Sequence, residues 1–214
     1  MNLPSVAKLC RLFAAGLSLI ALCGCSALRP GGTPPPAFYR LEGARGATPV
    51  TAPAAAPTLI INPPHAAAGF DSSRIIYVRE THQLEYFAHS EWVDPPARML
   101  APLLVAAVES TGTFRAVVLT PSAAVGDLRL DTEIVRLQHE FQPQPRRVRF
   151  TLRAYLVDDR TRRVLAWREF DATVPAASED PYGGVVAANR AVQTVLENLS
   201  AFCAETARGA QLEK

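Results

Sequence analysis

The chain reads as an α+β domain with two layers, a largely antiparallel sheet and two helices packed on one of its faces. Three observations predict it. Residues 147–157 alternate without a break, Val148, Phe150, Leu152, Ala154 and Leu156 against Arg147, Arg149, Thr151, Arg153 and Tyr155. A period of two with one polar side describes a strand whose second face is wet. Two other stretches, after Asp94 and after Gly184, carry apolar residues at helical spacing. The order of strands, helix, meander of strands and final helix satisfies the two-layer rule with both helices on one side.

The first element is not part of that domain. Lys8 and Arg11 precede an apolar run from Leu12 to Cys23, broken only by Gly16 and Ser18. A basic start, a short apolar stretch and small residues at its end describe an export signal over residues 1–24. A membrane-spanning helix needs about 20 apolar residues, and here the hydrophobicity fades after Cys23. Leu22-Cys23-Gly24-Cys25 resembles a bacterial lipoprotein lipobox, which implies cleavage before Cys25, diacylglycerol on its thiol and an N-acyl chain on its amine. Each buried methylene contributes about 0.8 kcal/mol, so three acyl chains would hold the protein permanently. Ser26 follows the cysteine in place of Asp, which by analogy with enteric sorting directs the protein to the outer membrane, facing the periplasm.

Residues 25–37 include Arg-Pro-Gly-Gly-Thr-Pro-Pro-Pro and read as a tether, because that composition supports neither helix nor sheet. In extended polyproline form, Ser26 to Ala37 reaches at most roughly 35–40 Å. The domain, residues 38–205, opens with a short strand at Phe38-Tyr39-Arg40-Leu41, followed by a loose Ala/Pro/Gly stretch from Gly43 to Pro57. Leu59-Ile60-Ile61 is a β-rich triplet stopped by Asn62-Pro63-Pro64. Arg74–Val78 and Gln83–Phe87 form a hairpin around Arg79–His82. Asp94 before Pro95 and Pro96 is a helix-start signal, with Asp94 as N-cap, and Leu100, Leu103, Leu104, Ala107, Val108 and Thr111 continue at helical spacing to Gly112. Pro102 inside that pattern predicts a kink.

Three longer strands follow Phe114–Leu119. In Asp127–His139 the apolar side shifts phase from Leu128, Leu130, Thr132 and Ile134 to Val135 and Leu137, which predicts a bulge near Ile134. Gln142-Pro143-Gln144-Pro145 turns into the alternating strand, and Asp158-Asp159-Arg160-Thr161 turns into Val164–Val174. Gly183-Gly184 leads into the last helix, whose apolar face runs through Val185, Ala188, Val192, Val195, Leu196, Leu199, Phe202 and Cys203. Residues 206–214 are a polar tail.

Composition excludes several classes. Removing Lys8 and Arg11 from 22 basic residues leaves 20 against 20 acidic, so there is no electrostatic footprint for nucleic acid. Of four cysteines, Cys10 and Cys23 leave with the signal and Cys25 takes lipid, so Cys203 has no partner for a disulfide and reads as a buried core thiol. His82, Glu85 and His89 would meet on a helix but not on the strand their segment forms, so no metal site is assigned. No phosphate-binding loop, His-Glu-x-x-His, Cys-x-x-Cys or Gly-x-Ser-x-Gly motif occurs, and no catalytic residue is assigned. Arg146, Arg147, Arg149 and Arg153 form a basic stripe. Its bland reading is a solvated face paired with Glu169 or Glu133; its functional reading gives Arg147, Arg149 and Arg153 to a partner or lipid-headgroup surface. Tyr86 and Trp92 read more readily as core than as interface.

Phe38-Tyr39-Arg40-Leu41 soon after the lipid cysteine, Arg74-Ile75-Ile76-Tyr77-Val78-Arg79, Leu84-Glu85-Tyr86-Phe87, Trp92 ahead of the helix bearing Leu100, Leu103 and Leu104, the long central strand pair and the Ala-rich last helix occur in one order. In that order the chain resembles the auxiliary lipoproteins of ABC-type lipid transporters, the paraquat-inducible protein C and YmbA type, over roughly residues 37 to 205. Pro102 and the Arg-rich strand depart from the family pattern. The resemblance implies a non-catalytic accessory role in phospholipid transport. The chain would dock a periplasmic MCE-domain assembly at the outer membrane, with no cofactor beyond its covalent lipid and with homo-oligomerisation left open. Two rivals stand beside it: an envelope lipoprotein that regulates or scaffolds a cell-wall synthase, and a lipid-binding carrier with an enclosed apolar cavity.

Overall fold

The computed structural model describes residues 35–43, 52–142 and 144–212. The signal segment, the lipobox with Cys25, most of the tether and Pro143 lie outside them. Strands β1 (Ala37–Tyr39), β2 (Thr58–Ile61), β3 (His65–Ala66), β4 (Arg74–Val78) and β5 (Glu85–Trp92) precede helix α1 (Pro96–Glu109). Strands β6 (Ala116–Leu119), β7 (Leu128–Glu140), β8 (Arg147–Asp158) and β9 (Val164–Pro175) then lead to helix α2 (Pro181–Leu212). The fold is α+β, as the patterns predict.

β7 is the spine of the sheet. One edge pairs antiparallel with β8 along its length, and β8 pairs antiparallel with β9. The other edge serves β2, β3 and β4 in turn, all parallel to it. β6 joins β2 and β1 joins β5, both parallel, while β4 and β5 form the antiparallel hairpin. The sheet is therefore mixed. The long meander is antiparallel, as alternation and short turns require, whereas the two- to five-residue strands add parallel contacts that no local pattern announces.

The expected bulge is present. Ile134 pairs with Leu152 and Arg136 with Thr151, leaving Val135 as the extra residue. Before it Leu128, Leu130, Thr132 and Ile134 are buried; after it Leu137 and His139 are. Leu128, Leu130, Ile134 and Leu137, with Val148, Phe150, Leu152, Ala154 and Leu156 of β8 and Phe170 and Ala172 of β9, form one core with α1 and α2.

Two helix starts differ from expectation. Pro95, not Asp94, occupies the α1 N-cap, with no side-chain cap hydrogen bond; Asp94 forms an i,i+4 ion pair with Arg98 at 3.3 Å. The second proline displaced the cap, since Pro96 already supplies the fixed φ of a first helical residue. α2 begins at Pro181, so Gly183 and Gly184 lie in its first turn and Asp180 caps it, its Oδ1 accepting from the Gly183 N–H at 2.7 Å. α2 also runs through residues 206–212, which the sequence reading set aside as a tail. Pro102 lies within α1 on its exposed side with Arg98, where water can reach the carbonyl the ring leaves without a donor. Gly112, at φ +62°, donates to the Glu109 carbonyl at 3.1 Å and ends the helix region in the left-handed conformation a glycine takes freely.

Close approach of α2 to β7 generates a prediction with two signs. A Cβ on Gly184 would stand 2.8 Å from Nδ1 of His139, a ring that is itself fully buried. Overpacking of this kind costs about 1–3 kcal/mol, more than the up to ~1 kcal/mol that Gly→Ala returns in helix propensity. Gly209, later in the same helix, has nothing within 4 Å of such a Cβ. In urea denaturation, Gly184→Ala is expected to lower the midpoint and Gly209→Ala to raise it; two shifts of the same sign would refute the packing account.

Candidate functional site

The face of the sheet away from the helices is built from the outward residues of β7, β8 and β9, whose register lays them in rows. Glu133, Arg153 and Glu169 form one row, and Arg153 donates to both carboxylates, at 3.1 and 3.0 Å. Arg136, Thr151 and Asp171 form the next; Asp171 accepts from Thr151 at 2.5 Å and from Arg149 Nε at 2.8 Å. Arg147 Nε donates to Glu140 at 2.8 Å, and Arg146 pairs with Glu179. The stripe Arg147, Arg149 and Arg153 is thus a charge ladder in which each guanidinium has a carboxylate. The more exposed of these pairs, Arg149–Asp171 and Arg153–Glu169, contribute about 0–1 kcal/mol each, whereas Glu140 is buried beneath Arg147. Partial burial would raise the Asp171 carboxyl, but the hydrogen bonds from Arg149 and Thr151 outweigh it and hold the group below its usual range.

The remaining sequence candidates fall into place separately. Cys203 is fully buried in α2, and desolvation pushes its thiol up to about 12, so it is a packed, protonated side chain. His82, Glu85 and His89 do not converge: Glu85 binds Arg79 and accepts from the Tyr77 hydroxyl at 3.1 Å. Among the described residues, no three His, Cys, Asp or Glu side chains are grouped to hold a metal ion. Asp158 binds the backbone N–H groups of Arg160 and Thr161 and so builds the β8–β9 turn. Trp92 is core, whereas Tyr86 is half exposed with the Arg74 guanidinium 4.1 Å over its ring.

Three cavities bear on binding. An open cleft of about 480 Å³ lies between the β4–β5 hairpin and β7, lined by polar groups such as Arg79, His82, Arg136, Gln138 and Arg147 beside Phe70 and Leu84. A pocket between α1 and α2, around Leu103, Ala107 and Leu196, holds only about 100 Å³. A void of about 10 Å³ touches His139, Trp92 and Gly184.

His139 was not singled out by sequence; its signal was a polar residue on the apolar phase of β7 after the bulge. It packs edge-on against Phe141 at 4.6 Å, and neither ring nitrogen has a protein hydrogen-bond partner. Burial lowers its pKa, Arg146 adds to that, and Asp180 and Glu179 oppose it. Between that lowered value and the usual ~6.5, the unfolded chain binds more protons, so stability is full above about pH 6.5 and falls as pH drops below it. His139→Leu removes a buried group without partners and is expected to keep or raise stability at pH 7 within ~1 kcal/mol. It should also flatten the loss between pH 7 and pH 5 in urea titrations; an unchanged pH slope would contradict the assignment.

Comparison with known proteins supplies the family. Residues 39–200 match the profile of the ABC-type transport auxiliary lipoprotein component. Protein XCC0632 from Xanthomonas campestris, a DUF330 protein, is similar in structure with a TM-score of 0.70 at 24% identity, covering 82% of this chain and 98% of its own. A second solved structure, of an uncharacterized protein, is similar with a TM-score of 0.62 at 13% identity, covering 79% of this chain and 99% of that one. At these identities the likeness shows the fold. No match is found among curated proteins.

Proposed function

This chain belongs to the ABC-type transport auxiliary lipoprotein family, and from that premise we propose that it is a non-catalytic accessory of an ABC/MCE-type phospholipid transport system. Diacylglycerol and N-acyl chains on Cys25 hold it at the outer membrane facing the periplasm, where it docks the periplasmic MCE-domain assembly. The observation that carries the reading is the family match across 39–200, which spans nearly the whole described domain. Among the described residues no helix is long and apolar enough to cross a membrane.

Cavity sizes favour docking over carrying. Small-molecule sites occupy roughly 300–1,000 Å³ and enclose most of the ligand. The apolar pocket between the helices is well below that at about 100 Å³, and the larger cleft is open with charged walls. A lipid tail would gain little by leaving a bilayer for either.

Cys25→Ser is expected to abolish acylation and leave an unprocessed or soluble form, read by intact mass and by loss of detergent-dependent membrane fractionation. The acylated wild type, purified from membranes, should bring an MCE-domain protein with it. Recovery of a penicillin-binding protein in its place would transfer the chain to the cell-wall reading.

A further inference from the structure

We infer that the patch formed by Phe38, Arg74 and Tyr86, with Val93 beside it, rests on the surface of the membrane that carries the lipid anchor. The inference deepens the proposed function and rests on its reading of Cys25 as the acylated residue. Register assembles the patch: Phe38 of β1 pairs with Glu91 of β5, Glu91 pairs with Arg74 of β4, and the Arg74 guanidinium lies 4.1 Å over the Tyr86 ring. Val93 donates its N–H to the Tyr39 carbonyl at 2.7 Å and so adjoins β1. Phe38 is 62% exposed, Tyr86 50% and Val93 61%, which sets three large apolar groups bare at one edge of the sheet.

Chain length selects the occupant. Ser26 to Ala37 is all that separates Cys25 from Phe38. At no more than about 3.3–3.6 Å per residue, those links keep the patch within roughly 45 Å of the acylated sulfur. Of all exposed apolar groups in the domain, Phe38 is the nearest along the chain to the bilayer.

Charge agrees with that occupant. Arg147, Arg149 and Arg153 each hold a carboxylate within 3.1 Å, whereas among the described residues Arg74 makes no ion pair, exposed Glu91 standing opposite it in register without bonding its guanidinium. A guanidinium whose N–H fork is open while its face lies on an aromatic ring suits a phosphate oxygen. Tyr and Arg are also the side chains that bury an apolar body while leaving a polar tip at headgroup level. The patch is therefore fitted to phospholipid headgroups with Phe38 reaching the upper acyl chains.

The test uses the acylated full-length protein in phosphatidylethanolamine–phosphatidylglycerol vesicles, with and without brominated acyl chains, which quench tryptophan on contact. Phe38→Trp in a Trp167→Phe background places the probe in the patch, and the emission of the Trp167→Phe parent, which comes from buried Trp92 alone, is subtracted from both probe and control. Trp167 of the unaltered chain, on β9 at the opposite edge, is the control. The introduced tryptophan is expected to lose about half its emission on bromination, as befits the interfacial belt, while Trp167 keeps its own. Adding Arg74→Glu should cut the quenching about twofold by setting a carboxylate against lipid phosphate. Intact mass of the same samples reads the anchor independently. Acylated protein with an unquenched probe, or with Trp167 quenched equally, overturns the patch and leaves the anchor standing; a bare Cys25 overturns both. A probe unquenched by lipid but shielded from iodide with rising protein concentration shows a second copy on the patch and overturns the inference as well.

Discussion

The single extra residue at Val135 governs what both faces of the sheet can be. β7 has to bury one side against the helices over its whole length. Without the bulge, the phase set by Leu128, Leu130, Thr132 and Ile134 would continue into Arg136, Gln138 and Glu140 and drive all three toward the core. Burying even one unpaired charge costs several kcal/mol, against the ~1–3 kcal/mol returned by a buried Leu. The bulge turns those residues outward and sends Leu137 and His139 in. Glu140 then meets Arg147 on the outer face, and His139 meets Gly184 at the start of α2. The Glu140–Arg147 pair and the close approach of Gly184 to His139 thus both depend on one inserted residue.

The ladder also divides the outer surface by chemistry. Over β8 and β9 every arginine of the stripe is matched by an acid, and a face of alternating fixed charges carries little net field. At the β1–β5–β4 edge the composition changes to aromatic and aliphatic groups, with Arg74 over the Tyr86 ring and Glu91 opposite it in register. A neutral, ordered ladder is a poor attractor of headgroups and a reasonable surface for a protein partner with its own alternating charges. The apolar edge has the opposite character.

How much of this was legible in the sequence depends on the range of each signal. The antiparallel meander was legible because Val148 to Leu156 alternate strictly and the bulge left its own phase change at Val135. The parallel pairing of β2, β3 and β4 was not, because strands of two to five residues carry no register, and their partners are set by a spine some sixty residues away. Asp-Pro signals illustrate the same limit. At Asp180-Pro181 aspartate caps the helix through Gly183, whereas at Asp94-Pro95-Pro96 a second proline moves the cap by one residue. Of the candidate sites, Cys25 is an expectation from a local motif that lies outside the described residues. The arginine stripe was legible as a stripe, but its pairing with Glu140, Asp171, Glu133 and Glu169 depends on cross-strand register. The Phe38–Arg74–Tyr86 patch was hidden because its members come from three strands.

For an auxiliary component, a small inter-helix pocket and an open cleft with charged walls are consistent with work done by position. A site that carries a lipid must replace the whole hydrocarbon environment of its tails, at about 0.8 kcal/mol for each methylene left exposed. Neither the inter-helix pocket nor the charged cleft offers that continuity. A docking element need supply only a rigid surface at the right place. With Cys25 acylated as proposed, the twelve residues from Ser26 to Ala37 would make the second contact effectively intramolecular. Under that condition a weak surface suffices, and the demands on the fold become rigidity and orientation. A bulge-phased sheet backed by a 32-residue helix meets the first, and an apolar edge beside the tether's point of entry is suited to the second.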